Sequence, residues 1–165
     1  MNVAVIGRAD RVHRKSRQLG ELLAQAGHVV ITGACGGTPG AVEQSACQAG
    51  GRTLGFSPAS DSEGHLKLGL PPRGTLPTEY TGRGFKGRNV DLIMATKVAI
   101  VVGGRLGTLH EAITAVEEDR PVYACWTTGG AALLLYPVVW LLRREFCCRV
   151  RLCWSIEQAV NLLGE

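Results

Sequence analysis

The stretch that most constrains this chain is Val98-Ala99-Ile100-Val101-Val102-Gly103-Gly104-Arg105-Leu106-Gly107-Thr108-Leu109-His110-Glu111. It begins as an apolar, mostly β-branched run, the composition of a strand buried on both faces. Gly103 and Gly104 break the run, and Gly107 follows after two intervening residues. From Thr108 onward the residues read as the start of a helix. A strand, a glycine turn and a helix N-terminus make an anion site. Backbone N–H groups point outward there, the helix dipole favours negative charge, and glycine lets a phosphate come close. The expected ligand is a phosphorylated small molecule.

The rest of the chain repeats the pattern. Strands are expected at Val3–Ile6, His28–Thr32, Thr53–Phe56, Val122–Trp126 and Arg149–Cys153. Helices are expected at Ser16–Ala26, where Leu19, Leu22, Leu23 and Ala26 recur at helical spacing, and at Ala41–Ala49, Phe85–Ala95, Thr108–Glu118 and Ser155–Leu163. Ser155 with Gln158 matches a capping box. Residues 57–77, dense in Gly, Pro, Ser and Asp, read as an irregular surface loop, with a short extended piece at Leu76–Thr81. Alternating strands and helices predict an α/β fold. It is a mostly parallel sheet with helices on both faces, in a single domain over residues 1–165. Ligands in such folds sit at the carboxyl ends of the strands. A second glycine turn, Gly33-Ala34-Cys35-Gly36-Gly37, leaves its strand at that same edge.

Composition narrows the setting. At 165 residues and 45% apolar, the chain suits one substantial core. It has no 18-residue apolar run, so no membrane partner is expected. Its first residues lack the basic start and apolar core of a signal peptide, and the expected location is the cytoplasm. The six cysteines form no Cys-x-x-Cys pair and share no ligand spacing with the four histidines, so they read as buried hydrophobes and no metal or cofactor is expected. Residues 8–17 carry Arg8, Arg11, Arg14, Lys15 and Arg17 against Asp10 alone, an excess equal to the whole formal charge of +4. This is a solvated helix start or a basic rim above a phosphate site, with Arg8 the residue kept as a candidate. No aromatic residues interleave with these charges, so nucleic acid is not the expected partner. Ala131–Leu142 is apolar all round and too short to span a bilayer. It is therefore either fully buried or packed against another subunit.

The motif residues have competing roles. The glycines match neither a P-loop nor Gly-x-Gly-x-x-Gly, and the second strand ends Ile31-Thr32-Gly33 without the acidic residue a nicotinamide dinucleotide needs for its ribose. Thr108-x-x-Glu111 is a capping box by spacing. Alternatively, Glu111 is a carboxylate that faces a bound phosphosugar, able to orient a water or stabilise positive charge on the ribose. Arg88 stands early in a helix, where a cation is disfavoured unless an anion lies near.

Gly103-Gly104-Arg105-Leu106-Gly107-Thr108-Leu109-His110-Glu111 resembles the Pro-Gly-Gly-x-Gly-Thr-x-x-Glu motif of the LOG proteins, long labelled "possible lysine decarboxylases". Arg88 falls where that family has the arginine of Met-x-x-Arg-Lys. Thr81-Gly82 and Arg88-Asn89 look like the branch that includes molybdenum cofactor carrier proteins, and Gly50-Gly51-Arg52-Thr53-Leu54-Gly55 resembles the family's Gly-Gly-x-x-x-Gly strand. The resemblance implies a Rossmann-like fold and a homodimer or homotetramer. It also implies hydrolysis of a nucleoside 5′-monophosphate to free base and ribose 5-phosphate without a metal, or carriage of a nucleotide or phosphorylated pterin without turnover. It assigns Glu111 and Arg88 as the catalytic pair and Gly103, Gly104, Gly107 and Thr108 to the phosphate. Gly33, Gly36 and Gly37 contribute from the first turn, and Phe85 takes the place of a methionine near the base. Here Val102 replaces the proline, Asn89 replaces the lysine, and Arg105-Leu106 stands for a single residue, which bears on where Glu111 sits. The decarboxylase label has no support: none of Lys15, Lys67, Lys86 and Lys97 has a recognisable pyridoxal-phosphate setting.

Overall fold

A computed structural model describes residues 1–164; Glu165, the last residue of the expected domain, lies outside them. One seven-stranded sheet runs through the chain: β1 (Asn2–Gly7), β2 (Val29–Thr32), β3 (Arg52–Ser57), β4 (Thr78–Tyr80), β5 (Val98–Val102), β6 (Val122–Cys125) and β7 (Val150–Cys153). Every neighbouring pair is parallel, in the order β4-β3-β2-β1-β5-β6-β7. The chain winds outward from β1 to β4, then returns to lay β5 on the other side of β1. The strand order therefore reverses between β1 and β5, and a crevice opens there at the carboxyl edge. This is the α/β, Rossmann-like architecture expected.

The helices are α1 (Ser16–Gln25), α2 (Gly37–Gln48), α3 (Ser62–Lys67), α4 (Gly84–Met94), α5 (Leu106–Glu117), α6 (Gly130–Leu142) and α7 (Ile156–Asn161). The central strands are apolar on both faces, so each face needs its own helical layer. Val3, Val5, Val98 and Ile100 point to a core with Leu19, Leu23 and Val42 of α1 and α2 and Ile156 of α7. Ala4, Ile6, Ala99 and Val101 point to the opposite core with Leu92 of α4, Ala112 of α5 and Leu135 of α6. Gly20 lets α1 cross α2 closely, since a Cβ there would lie 2.3 Å from the Val42 carbonyl oxygen.

Two expectations are corrected. Residues 57–77 are not irregular throughout, because they hold α3. Asp61 caps it by accepting the Gly64 N–H at 2.7 Å, and the buried His65 side chain bonds Ser57 Oγ at 2.8 Å and the Pro71 carbonyl at 2.9 Å. A six-residue helix is too short to show a period, and its Gly and Ser content reads as turn. Second, α2 starts at Gly37 instead of Ala41. Pro39 is tolerated in its first turn because a proline there removes an N–H that has no helical partner.

Candidate functional site

The reversal point positions two walls. β1 ends at Gly7 and runs into Arg8–Asp10; β5 ends at Val102 and turns through Gly103 (φ +62°) and Gly104 (φ +106°) into α5. α4 brings Arg88 in from beyond β4. Between them lies a cavity of about 390 Å³, within the range of small-molecule sites. Of the residues expected at a site, Gly33, Phe85, Arg88, Gly107, Thr108 and Glu111 line it. Gly103 lines a neighbouring cleft. Gly36, Gly37 and Gly104 line neither and shape the backbone instead. A Cβ on Gly37 would lie 2.1 Å from the Arg8 carbonyl oxygen, and one on Gly104 would lie 2.4 Å from Thr108 Cγ2.

The capping box does not form. α5 begins at Leu106, so Thr108 and Glu111 are already inside it, and the N-cap residue Arg105 makes no side-chain cap bond. Thr108 Oγ1 instead donates to the Gly7 carbonyl at 3.1 Å, tying α5 to the end of β1. The additional residue between the glycines is absorbed outward. Leu106 points to solvent at 80% exposure, and Arg105 reaches back to Asp10 at 3.1 Å. Glu111 is thereby left facing the cavity, with Arg88 Nη1 at 3.7 Å from its Oε1.

This pair is nearly dry. The side chains of Arg88 and Glu111 are 7% and 15% exposed. Burial pushes the Glu111 carboxyl above the usual range, and the Arg88 charge pulls it partly back. Arg88 Nε and Nη1 have no hydrogen-bond partner, nor does Asn89 Oδ1 beside them. Buried N–H groups of a guanidinium are costly to leave unmade. Gly33 exists for this arginine: a Cβ there would sit 1.6 Å from Arg88 Nη1. Cys35 adds a thiol that burial raises to about 11, so it stays protonated.

Reading the sequence missed Asn89 as a lining residue, together with Asp10, Leu70 and Arg105. Asn89 was visible as part of the Arg88-Asn89 pair of the carrier branch and as a departure from the lysine of the LOG motif, without a place at the site; Leu70 comes from the stretch read as loop. Among the described residues, no three of His, Cys, Asp and Glu gather as a metal site, and no helix is long and apolar enough to cross a membrane.

Residues 1–132 match the model of the SLOG cluster4 family. The crystal structure of the structural-genomics protein TM1055 superposes with a TM-score of 0.81 at 24% identity, covering 99% of this chain and 98% of that one. The molybdenum cofactor binding protein of Rippkaea orientalis gives 0.80 at 24% identity, over 99% and 94%. DNA processing protein A of Helicobacter pylori, whose single-stranded DNA binding mode is described, gives 0.63 at 20%, over 99% and 80%. At these identities the likeness is one of fold.

Proposed function

The chain belongs to the SLOG cluster4 family, and from that premise we propose that it binds a nucleoside 5′-monophosphate, or a similar phosphorylated ligand, and hydrolyses its N-glycosidic bond. The observation that carries the reading is the buried Arg88 beside Glu111 on the wall of a cavity of ligand size, with two of its guanidinium nitrogens left without a hydrogen-bond partner. The phosphate would sit at the start of α5, over Gly107 and Thr108, and Phe85 would border the base. Ionised Glu111 would stand by the anomeric carbon, orient a water and stabilise the oxocarbenium ion as the bond to the base breaks. Oxygen from that water forms the new bond to the anomeric carbon as the bond to the base breaks; the water proton taken up by Glu111 then passes to the departing base, which regenerates the carboxylate. Arg88 would hold the phosphosugar and the carboxylate together.

Incubating the pure protein with the common nucleoside monophosphates checks this by release of free base. Release that disappears in Glu111→Ala is expected; no release above that variant would sink the hydrolase reading. The fold shared with the Rippkaea orientalis molybdenum cofactor binding protein supports a second reading, a carrier of a nucleotide or phosphorylated pterin. Calorimetry separates the two: a carrier binds tightly whether or not residue 111 is glutamate and loses binding in Gly104→Asp. The proposed setting is the cytoplasm, in keeping with six free thiols. The proposed assembly is a homodimer or homotetramer, with the apolar outer face of α6 as its contact.

A further inference from the structure

The cavity does not end at Arg8. A second cleft of about 410 Å³ opens on the other side of that residue, over the gap between β1 and β5, and is lined by Arg8, Arg11, His13, Arg14, Thr38 and Gly103. Its basic wall is built and held. Thr38, 2% exposed, donates its N–H to the Arg8 carbonyl at 2.8 Å. Its Oγ1 donates to the Arg11 carbonyl at 2.9 Å and accepts the His13 N–H at 3.0 Å. Ser16 Oγ donates to the His13 carbonyl at 2.7 Å. The loop is thus pinned to the start of α2.

Most of the local charge is already paired. Asp10 takes Arg8 at 2.9 Å and Arg105 at 3.1 Å, and Glu157 takes Lys15 at 2.7 Å. Among the described residues, Arg11 and Arg14 have no carboxylate partner. Two guanidinium groups facing one cleft repel each other unless an anion lies between them. On the opposite wall Thr128 Oγ1 accepts the Gly103 N–H and donates to the Cys125 carbonyl, both at 2.6 Å. Those groups are satisfied, which leaves the cations to recognise what enters.

The cleft continues into a smaller hollow of about 150 Å³ that shares His13, Arg14 and Thr128 and ends at Trp154. Trp154 is 68% exposed, yet it is fixed. Its N–H donates to Gln158 Oε1 at 2.7 Å, its carbonyl accepts Thr127 Oγ1 at 2.8 Å, and its ring packs edge-on to Trp126 at 4.6 Å between centroids. A large ring held rigid in water beside unpaired cations is a platform on which an aromatic group can stack.

We propose that this basic cleft is the second half of the ligand site: Arg11 and Arg14 take the second phosphoryl group of a pyrophosphate-linked nucleotide, and Trp154 stacks on an aromatic group attached beyond it. The proposal rests on the nucleotide reading of the first cavity and extends it from a mononucleotide to a ligand of two linked halves. The sequence offers a basic rim over residues 8–17 as one reading; that this rim faces Thr128 and runs on to Trp154 follows only from the sheet order.

Calorimetry with AMP, ADP and diadenosine pyrophosphate tests it on the intact chain. ADP is expected to bind about tenfold tighter than AMP, the scale of one charge-assisted contact. Diadenosine pyrophosphate is expected to bind at least as tightly as ADP and to quench tryptophan emission, which AMP leaves unchanged. Arg11→Ala with Arg14→Ala brings ADP down to the AMP level; Trp154→Leu removes the quenching. These side chains lie at the surface and the fold does not depend on them. Equal affinity for AMP and ADP overturns the proposal, as does an arginine variant that weakens both alike. Tighter binding of a short oligothymidylate than of the dinucleotide also overturns it, in favour of single-stranded nucleic acid. If AMP binds and the second phosphate adds nothing, this inference alone fails; if no nucleotide binds, the reading of the first cavity has failed.

Discussion

Arg88 and Glu111 show how one residue type in one place acquires a chemical task from burial. Water would screen a 3.7 Å pair at the surface; here both side chains are largely buried, which weakens that screening. The raised Glu111 carboxyl has a stability consequence of definite sign. A group whose folded-state pKa exceeds its unfolded value stabilises below the unfolded value, near 4.5, and that contribution is lost as pH rises through the folded value. Arg88 is the influence that lowers this pKa. In Arg88→Met the Glu111 carboxyl should therefore titrate at higher pH than in the native protein, by carbon NMR of the labelled side chain. Any hydrolysis that needs ionised Glu111 should shift its acid limb the same way. A downward shift would contradict the placement of the pair.

Gly33 makes a cleaner test at the same scale. Its φ lies outside the left-handed region, so alanine is conformationally permitted. The obstacle is Arg88 Nη1, 1.6 Å from the added Cβ, the tip of a flexible side chain that can swing aside. Gly33→Ala should fold with a melting temperature within a few degrees of the native protein while losing ligand binding as fully as Arg88→Ala. Retained binding would show that the arginine does not need its present position. Only part of this was readable from the order of residues. The family motif pointed to Glu111 and Arg88, but spacing alone described Thr108-x-x-Glu111 as a cap. That reading fails because the helix starts two residues earlier, at Leu106. The need for glycine at position 33 becomes visible only when an arginine from α4 is laid across it.

Among the elements, α2 and the segment after α3 are joined by a fully buried, charged contact. Glu43, fully buried inside α2, receives Arg73 Nη2 at 2.5 Å and Nη1 at 2.8 Å, and Thr32 Oγ1 at 2.8 Å. Arg73 Nε donates to Thr78 Oγ1 of β4 at 2.8 Å. The fork therefore clamps the 70–77 segment, and with it Leu70 of the cavity wall, to the sheet. Removing one partner leaves a buried charge alone, which costs about 3–5 kcal/mol. Arg73→Ala should show that loss in urea unfolding. Arg73→Met with Glu43→Gln should recover much of it, since the pair stabilises the fold little beyond satisfying itself. Equal losses in the single and double variants would show that packing, not charge, holds the segment. By contrast, Ser155 was legible: it accepts the Gln158 N–H at 3.2 Å as the capping pattern requires, and Ser155→Ala should cost about 1 kcal/mol. Local rules of spacing reveal caps. They cannot reveal a partner thirty residues away across a stretch that reads as loop.

Across the whole molecule, the alternation of strands and helices was enough to expect a parallel sheet, because a helix crossing back over the sheet returns the next strand parallel to the last. It did not say which strand is central. That depends on β5 joining β1, and the crevice follows from that one adjacency. α6 was apolar on every side in the sequence, which left burial and assembly open. The structure divides it: Ala131, Ala132, Leu135 and Val139 are buried, while Leu134, Trp140, Leu141 and Leu142 are exposed by 52%, 50%, 74% and 68%. Leu134 and Leu141 stand about two turns apart and share one outer face of α6, with Trp140 and Leu142 flanking its C-terminal end, and we propose that this exposed apolar surface is a contact between copies of the chain. A two-fold contact would set the patch against its own copy. Sedimentation velocity should then find the 17.6 kDa chain as a dimer or tetramer. Leu134→Glu with Leu141→Glu should sediment as a monomer with unchanged circular dichroism. A native protein that is monomeric at tens of micromolar would rule out assembly through α6. If instead the double variant still self-associates, the contact lies elsewhere. The exposed leucines would then be ordinary surface, and the apolar run in the sequence would reflect only the side of α6 that faces α5 and the sheet.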